Sequence, residues 1–288
     1  MTVTEFPGGV RVEGAEPFDL AQTLDCGQCF RFAPTGDGGW FGAAGGHAAG
    51  LRFEGESLVL EGATAAEFEG FWRDYLDLDR DYAAVRAAFA RDPRLAPCVA
   101  FAPGIRVLRQ PAFEALIAFI VSQNNNVPRI KGILARLCAL FGEPLPGGAR
   151  AFPAPERLAA CSEEELAPLR SGWRAGYILD AARQVAAGTV DLQAVAVMPL
   201  ADARRELTRI RGVGPKVAEC VLLYGMGRLE CFPMDVWMKR AMARLFPEET
   251  GKMPESAPAI FGPYAGIAQQ YIFHYCRCHP EEIREKTA

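Results

Sequence analysis

Long apolar runs are missing from this chain. No stretch of its 288 residues approaches the roughly 20 apolar positions that a membrane-spanning helix requires, so no such helix is expected. Residues 1–10, MTVTEFPGGV, have neither the basic start nor the apolar centre of a secretory leader. A soluble, intracellular protein is the expectation. Histidine is scarce: His47, His274 and His279 stand in no visible pattern with a Ser or Cys nucleophile, so a triad hydrolase finds no support. An excess of positive charge is missing as well. The net charge of −4 argues at first sight against a nucleic-acid partner.

Cysteine is plentiful, with nine residues, but its spacing is poor for metal. Cys26-x-x-Cys29 and Cys276-x-Cys278-His279 could form a zinc site. The first pair, however, lies in a strand-like run and the second close to residue 288. An iron–sulfur cluster needs four thiolates, and Cys231, Cys276 and Cys278 leave one missing. Free thiols and no metal are expected.

Half of the residues are apolar, enough to bury a substantial core in two packed subdomains. Charge is unevenly shared between them. Residues 1–103 carry 8 basic and 16 acidic side chains, whereas residues 104–245 carry 19 basic and 13 acidic ones. A basic central face on an acidic body reverses the first impression and restores a polyanion as a partner. Arg129, Lys131, Arg174, Arg204, Arg205, Arg209, Arg211, Lys239 and Arg240 could contact phosphates.

Residues 10–61 alternate between apolar and polar positions and are broken by glycine-rich turns, which predicts an antiparallel sheet of about five strands. From Ala65 the spacing becomes helical, and prolines 93, 97 and 103 mark the passage onward. Phe113, Leu116, Ile117 and Ile120 predict one buried helix face; Ile130, Ile133, Leu134, Leu137 and Phe141 predict another. Further helices are predicted at 156–160, 163–170, 174–187, 199–210, 215–226, 235–245 and 264–276. The fold class is α+β: an N-terminal antiparallel-sheet domain with helices, residues 1–103, followed by a larger helical domain, residues 104–288.

The most informative stretch runs from 207 to 240. Arg211-Gly212-Val213-Gly214-Pro215 separates two helices, a hairpin over about 207–226. Gly212 and Gly214 accept the backbone angles of such a turn and leave room for a ligand. Pro215 suits a first helical position, and the helix start offers free N–H groups to an anion. Lys216 follows at once, in a place for a nucleophilic amine beside a bound phosphate. Asp235 precedes the next helix and reads as its N-cap, a role compatible with supplying a fixed carboxylate.

This segment resembles the helix-hairpin-helix DNA glycosylases, with their Gly-Val-Gly-x-Lys turn and downstream Asp. It is most similar to the 8-oxoguanine glycosylase/AP lyase family. The likeness extends through GQCFRF (27–32), SQNNNVPRIKGI (122–133), GWRAGY (172–177), GVGPKVAEC (212–220), FPMDV (232–236) and GPYAGIAQ (262–269). It implies a bifunctional enzyme that excises 8-oxoguanine opposite cytosine, with Lys216 as the nucleophile and Asp235 as the assisting carboxylate. Gly212, Val213 and Gly214 become the phosphate-binding turn. Gly27 matches the glycine whose carbonyl reads N7–H, Cys220 and Phe273 the pair enclosing the everted base, and Gln269 the reader of its pairing edge. Asn124, Arg129 and Arg174 match groups at the orphaned cytosine, and Trp173 stands where the family has a Tyr wedge. Trp237 departs from the pattern, replacing a phosphate-contacting His, and its role stays open, as does a cation on the hairpin carbonyls. The resemblance implies no cofactor, a monomer, and double-stranded DNA containing oxidised guanine as partner, in the cytoplasm or nucleoid if the source is bacterial. Two alternatives stay open: a glycosylase of the same fold acting on alkylated bases, and a non-enzymatic DNA-binding module.

Overall fold

A computed structural model describes residues 1–15 and 18–283. Six strands form one antiparallel sheet: β1 (Thr2–Phe6), β2 (Gly9–Glu13), β3 (Phe32–Pro34), β4 (Trp40–Ala44), β5 (His47–Glu54) and β6 (Ser57–Glu61), in the order β1-β2-β6-β5-β4-β3. The strand beyond the expected five is β1. None of its residues is buried, so it lacks the half-apolar alternation that announces a strand, and pairing with β2 from Thr2↔Glu13 to Phe6↔Gly9 holds it as an edge. A second difference lies at CFRF, of which only Phe32 belongs to β3. Here the buried Gln28 side chain supplies partners from outside the sheet, donating to the carbonyls of Thr23 (2.9 Å) and Arg106 (2.7 Å) and accepting from the Leu108 amide (2.9 Å). The loop 25–30 is thereby stitched to the segment 104–110 and kept off the ladder.

One core lies against the sheet, where Val10, Val12, Leu51, Leu58 and Leu60 meet Phe68, Trp72 and Tyr75. The other is helical and centres on Ala112–Ser122, whose residues from Glu114 to Val121 are all buried. The expected single apolar face is therefore too modest, since a helix covered on every side sits at the middle of its neighbours. Its one charge, Glu114, pairs with Arg31 at 3.2 Å. Burial pushes the Glu114 carboxyl up from its ordinary value, and the guanidinium opposes that shift.

The remaining expected helices are present as Pro155–Ala159, Glu163–Leu166, Arg174–Ala186, Leu200–Leu207, Pro215–Cys220, Val236–Leu245 and Ala265–Cys278. The fourth stops three residues early because Thr208, Arg209 and Ile210 already bend into the hairpin, with the Val213 amide closing back on the Ile210 carbonyl at 3.0 Å. Pro215–Cys220 continues as one π-type turn, Val221–Gly225. No helix among the described residues is long and apolar enough to cross a membrane.

Candidate active site and nucleic-acid interface

The hairpin is pinned from behind by the helix Arg174–Ala186. The Arg211 amide donates to Asp180 Oδ2 at 2.8 Å, and the Arg211 guanidinium lies 5.5 Å from the centre of the Tyr177 ring. Gly212 has φ +85°, and a Cβ there would stand 2.1 Å from Tyr177 Cδ2. Both the left-handed backbone and the ring thus demand glycine. Gly214 is different. Its Cβ position meets nothing within 4 Å, so it faces open space at the start of the Pro215 helix. An open groove runs along the turn past Gln123, Trp173, Tyr177, Arg209 and Gly212 to Gly214. Replacing Gly212 by Ala is expected to lower stability by about 1–3 kcal/mol, through strain and overpacking, and to weaken DNA binding as well. Thermal unfolding and a DNA titration check this pair of effects.

The hairpin also holds the loop that carries Asp235. Glu219, buried on the second hairpin helix, accepts from Arg204 Nε of the first at 2.5 Å and from the Phe232 amide at 2.8 Å. Removing one partner leaves the other groups unmatched, so Glu219→Ala is expected to cost about 3–5 kcal/mol in chemical denaturation.

Between these elements lies a cleft lined by Gly27, Phe119, Lys216, Cys220, Tyr224, Pro233, Asp235, Gln269 and Phe273. Every residue expected in catalysis or base recognition is in this set, drawn from segments far apart in the chain. Lys216 Nζ lies 3.3 Å from Ser122 Oγ and 5.3 Å from the centre of the Phe119 ring. Asp235 caps the helix Val236–Leu245, its Oδ1 accepting from the Met238 amide at 2.8 Å. Only one carboxylate oxygen is engaged in the cap. Gly27 has φ +86° and faces the Phe273 ring, whose Cε1 would lie 3.3 Å from an added Cβ. Cys220 is buried, and desolvation pushes its thiol up to about 11, so it is an uncharged wall at neutral pH. Phe119 and Tyr224 were not singled out from the sequence. Both lie in continuous apolar runs, where a site aromatic and a core aromatic look alike.

The residues expected at the opposite strand cluster around residues 123–129. Asn125 Nδ2 donates to the Val121 carbonyl at 3.0 Å, and Asn126 Oδ1 caps the next helix by accepting from the Arg129 amide at 3.0 Å. Turn and cap chemistry therefore account for two of the three asparagines. Asn124 is the exception, exposed and left-handed with φ +46°. Trp173 is 52% exposed and lies 4.3 Å from the Arg174 guanidinium, while Arg129 is exposed on the neighbouring helix. Arg174 itself is buried and donates to the carbonyls of Gln123, Asn124 and Ser171, so it braces the Asn124 loop. Trp237, whose role the sequence left open, is 39% exposed in the first turn after Asp235.

Two family models divide the chain. Residues 11–116 match the 8-oxoguanine DNA glycosylase N-terminal domain, and residues 117–262 match the HhH-GPD superfamily of base excision DNA repair proteins. The chain belongs to the 8-oxoguanine DNA glycosylase family. Among curated relatives, the N-glycosylase/DNA lyase OGG1 of Arabidopsis thaliana is 31% identical over 277 residues, covering 88% of this chain and 76% of that protein. Among solved structures, MBOgg1 in complex with a low-affinity DNA ligand superposes with a TM-score of 0.93 at 39% identity, over 97% of this chain and 99% of that one. The Clostridium acetobutylicum 8-oxoguanine glycosylase/lyase, in complex with double-stranded DNA containing cytosine opposite 8-oxoguanine, gives 0.93 at 34% identity, with the same coverage.

All nine cysteines of this family member are free thiols, and only Cys278 is exposed. Among the described residues, no three His, Cys, Asp or Glu side chains converge as metal ligands. Burial pushes the Cys26 thiol up to about 12 and the Cys276 thiol up to about 12. A disulfide-exchange reagent at pH 8 is therefore expected to titrate one thiol quickly in the folded protein and the rest only after denaturation.

Proposed function

We propose that this chain excises 8-oxoguanine paired with cytosine from duplex DNA and cuts the strand through an imine on Lys216. The observation that supports this reading best is the shared cleft of Lys216, Asp235 and Gly27 beside the open groove along the glycine turn. In this reading the hairpin amides hold the backbone phosphate, and the damaged nucleotide turns out of the stack into the cleft. The Lys216 amine attacks C1′ as the bond from C1′ to the base breaks, and the base leaves with the electron pair and takes up a proton. The free oxygen of Asp235 stabilises the positive charge that develops at the sugar. Opening of the sugar ring gives the imine, which acidifies the C2′ proton. Loss of that proton expels the 3′ phosphate by β-elimination.

Selection of the base rests on Gly27. Its carbonyl accepts a hydrogen bond from N7–H of 8-oxoguanine, whereas guanine would present a lone pair there. Phe273 and Cys220 enclose the ring. Asn124, Arg129 and Arg174 face the orphaned cytosine, with Trp173 filling the gap, and Arg174 also fixes the loop that presents Asn124. An alkylated-base glycosylase using activated water would leave the Lys216 amine without a chemical task.

The test is one assay with the lesion placed opposite each of the four bases, run with and without borohydride. Strand cleavage and a trapped protein–DNA adduct are expected with cytosine. Equal excision from all four pairs sinks the cytosine preference, and cleavage without any trapped adduct sinks the imine.

A further inference from the structure

Tyr224 lines the cleft, is buried, and stacks on Phe119 with ring centres 5.2 Å apart and 18° between planes. Its hydroxyl lies 3.1 Å from Gln269 Oε1 and 2.6 Å from Gln270 Oε1. A phenol carries one proton, so it cannot donate to two carbonyl oxygens at once. Gln270 has its orientation fixed from the other side, because its Nε2 donates to the Cys26 carbonyl at 3.2 Å. The shorter contact, to Gln270, therefore takes the proton. Burial holds the Tyr224 pKa well above its ordinary value, so the proton stays on the phenol at any physiological pH. What Tyr224 offers Gln269 is then a lone pair, and a carbonyl oxygen facing it is repelled. A half-turn of the Gln269 amide resolves the conflict. Its NH2 group donates to the Tyr224 oxygen, and its carbonyl oxygen turns to the cleft.

We infer that Tyr224, gripped by Gln270, is a positioning residue that makes Gln269 present a hydrogen-bond acceptor to the pairing edge of the everted base. This inference rests on the cleft being the base pocket proposed above. Donation then runs in one direction, from Gln269 through Tyr224 and Gln270 to the Cys26 carbonyl. Cys26 directly precedes Gly27, so the loop presenting one reader of the base also sets the polarity of the other. The chemical consequence is selectivity at the pairing edge. An acceptor welcomes the N1–H and amino donors of a guanine-type base, and it opposes the bare N1 of an adenine-type base. 8-Oxoguanine and 8-oxoadenine share the oxidised edge with its N7–H and differ at the pairing edge, so their ratio isolates this effect.

The experiment compares single-turnover release of 8-oxoguanine and 8-oxoadenine by the wild type, Tyr224→Phe and Gln270→Met. Tyr224→Phe keeps the aromatic stack and removes the hydroxyl. Gln270→Met leaves the hydroxyl but removes its preferred acceptor, freeing the proton for Gln269; residue 270 is outside the cleft lining. Both variants are expected to narrow the 8-oxoguanine preference about tenfold, the effect of one mispaired hydrogen bond. In Gln270→Met, altered outside the cleft lining, cleavage at a preformed abasic site, which needs no base recognition, should stay within about twofold of wild type. An unchanged preference in both variants overturns the inference. So does a parallel fall in base release and abasic-site cleavage, which would mark Tyr224 as a packing residue only. A wild type without 8-oxoguanine preference would instead overturn the proposed function, a separate result.

Discussion

Lys216→Gln is expected to lower single-turnover release of 8-oxoguanine by roughly 1,000-fold or more, the usual scale for loss of a covalent nucleophile. Borohydride should trap no adduct, and the affinity for lesion-containing duplex should change only a few-fold. The separation of chemistry from binding has a structural basis. Glutamine is one atom shorter than lysine but keeps an uncharged NH2 group in the cleft, on the side where Ser122 Oγ lies 3.3 Å from the native amine. The turn that would hold phosphate is maintained elsewhere, by Gly212 against Tyr177 and by the Arg211 amide on Asp180. An undiminished excision rate would remove Lys216 from the reaction.

Asp235→Asn isolates the charge of the second catalytic candidate from its capping role. Asn caps a helix about as well as Asp, so the bond to the Met238 amide and the helix Val236–Leu245 should persist, with stability within about 0.5 kcal/mol. What disappears is the negative charge that Asp235 brings to the cleft beside Lys216. Base release is expected to fall about 100- to 1,000-fold, the range seen when one electrostatic stabiliser is deleted, while DNA binding stays equal or tightens slightly. Asp235→Ala should add a loss of about 1 kcal/mol in stability from the missing cap. If Asn retained the full rate, the carboxylate would be a cap and nothing more.

The sequence was most legible where local chemistry is strict. Gly212-Val213-Gly214-Pro215-Lys216 specifies a hairpin because few other residues satisfy a left-handed turn followed by a helix start, and the structure places it there. Asp235 was legible as a cap for the same reason. The sheet was legible through β2, β4, β5 and β6, apolar runs set between glycine-bearing turns, less so through β3, which takes only Phe32 from the expected run, and not through β1, where no residue is buried. The cleft was legible only in part. Lys216, Asp235 and Cys220 could be placed by motif, whereas Phe119 sits on a helix buried all round, with no polar face to show which side matters. Arg174 shows a different limit: the sequence gives its charge, but only the structure shows that its guanidinium also braces the carbonyls of residues 123, 124 and 171. Sequence gives the type of a charged group and not which of its donors are already occupied.

Gly27 meets Phe273, and Arg277 Nη2 reaches the Asp25 carbonyl at 2.7 Å across 252 positions of sequence, so the two facing walls of the cleft leave the ribosome far apart in time. A nascent polypeptide that has emerged only through residue 230 already contains the hairpin and the amine but lacks Pro233, Asp235, Gln269 and Phe273 of the cleft. Between the emergence of the hairpin and that of Phe273, the growing chain holds the amine without the wall that completes its cleft.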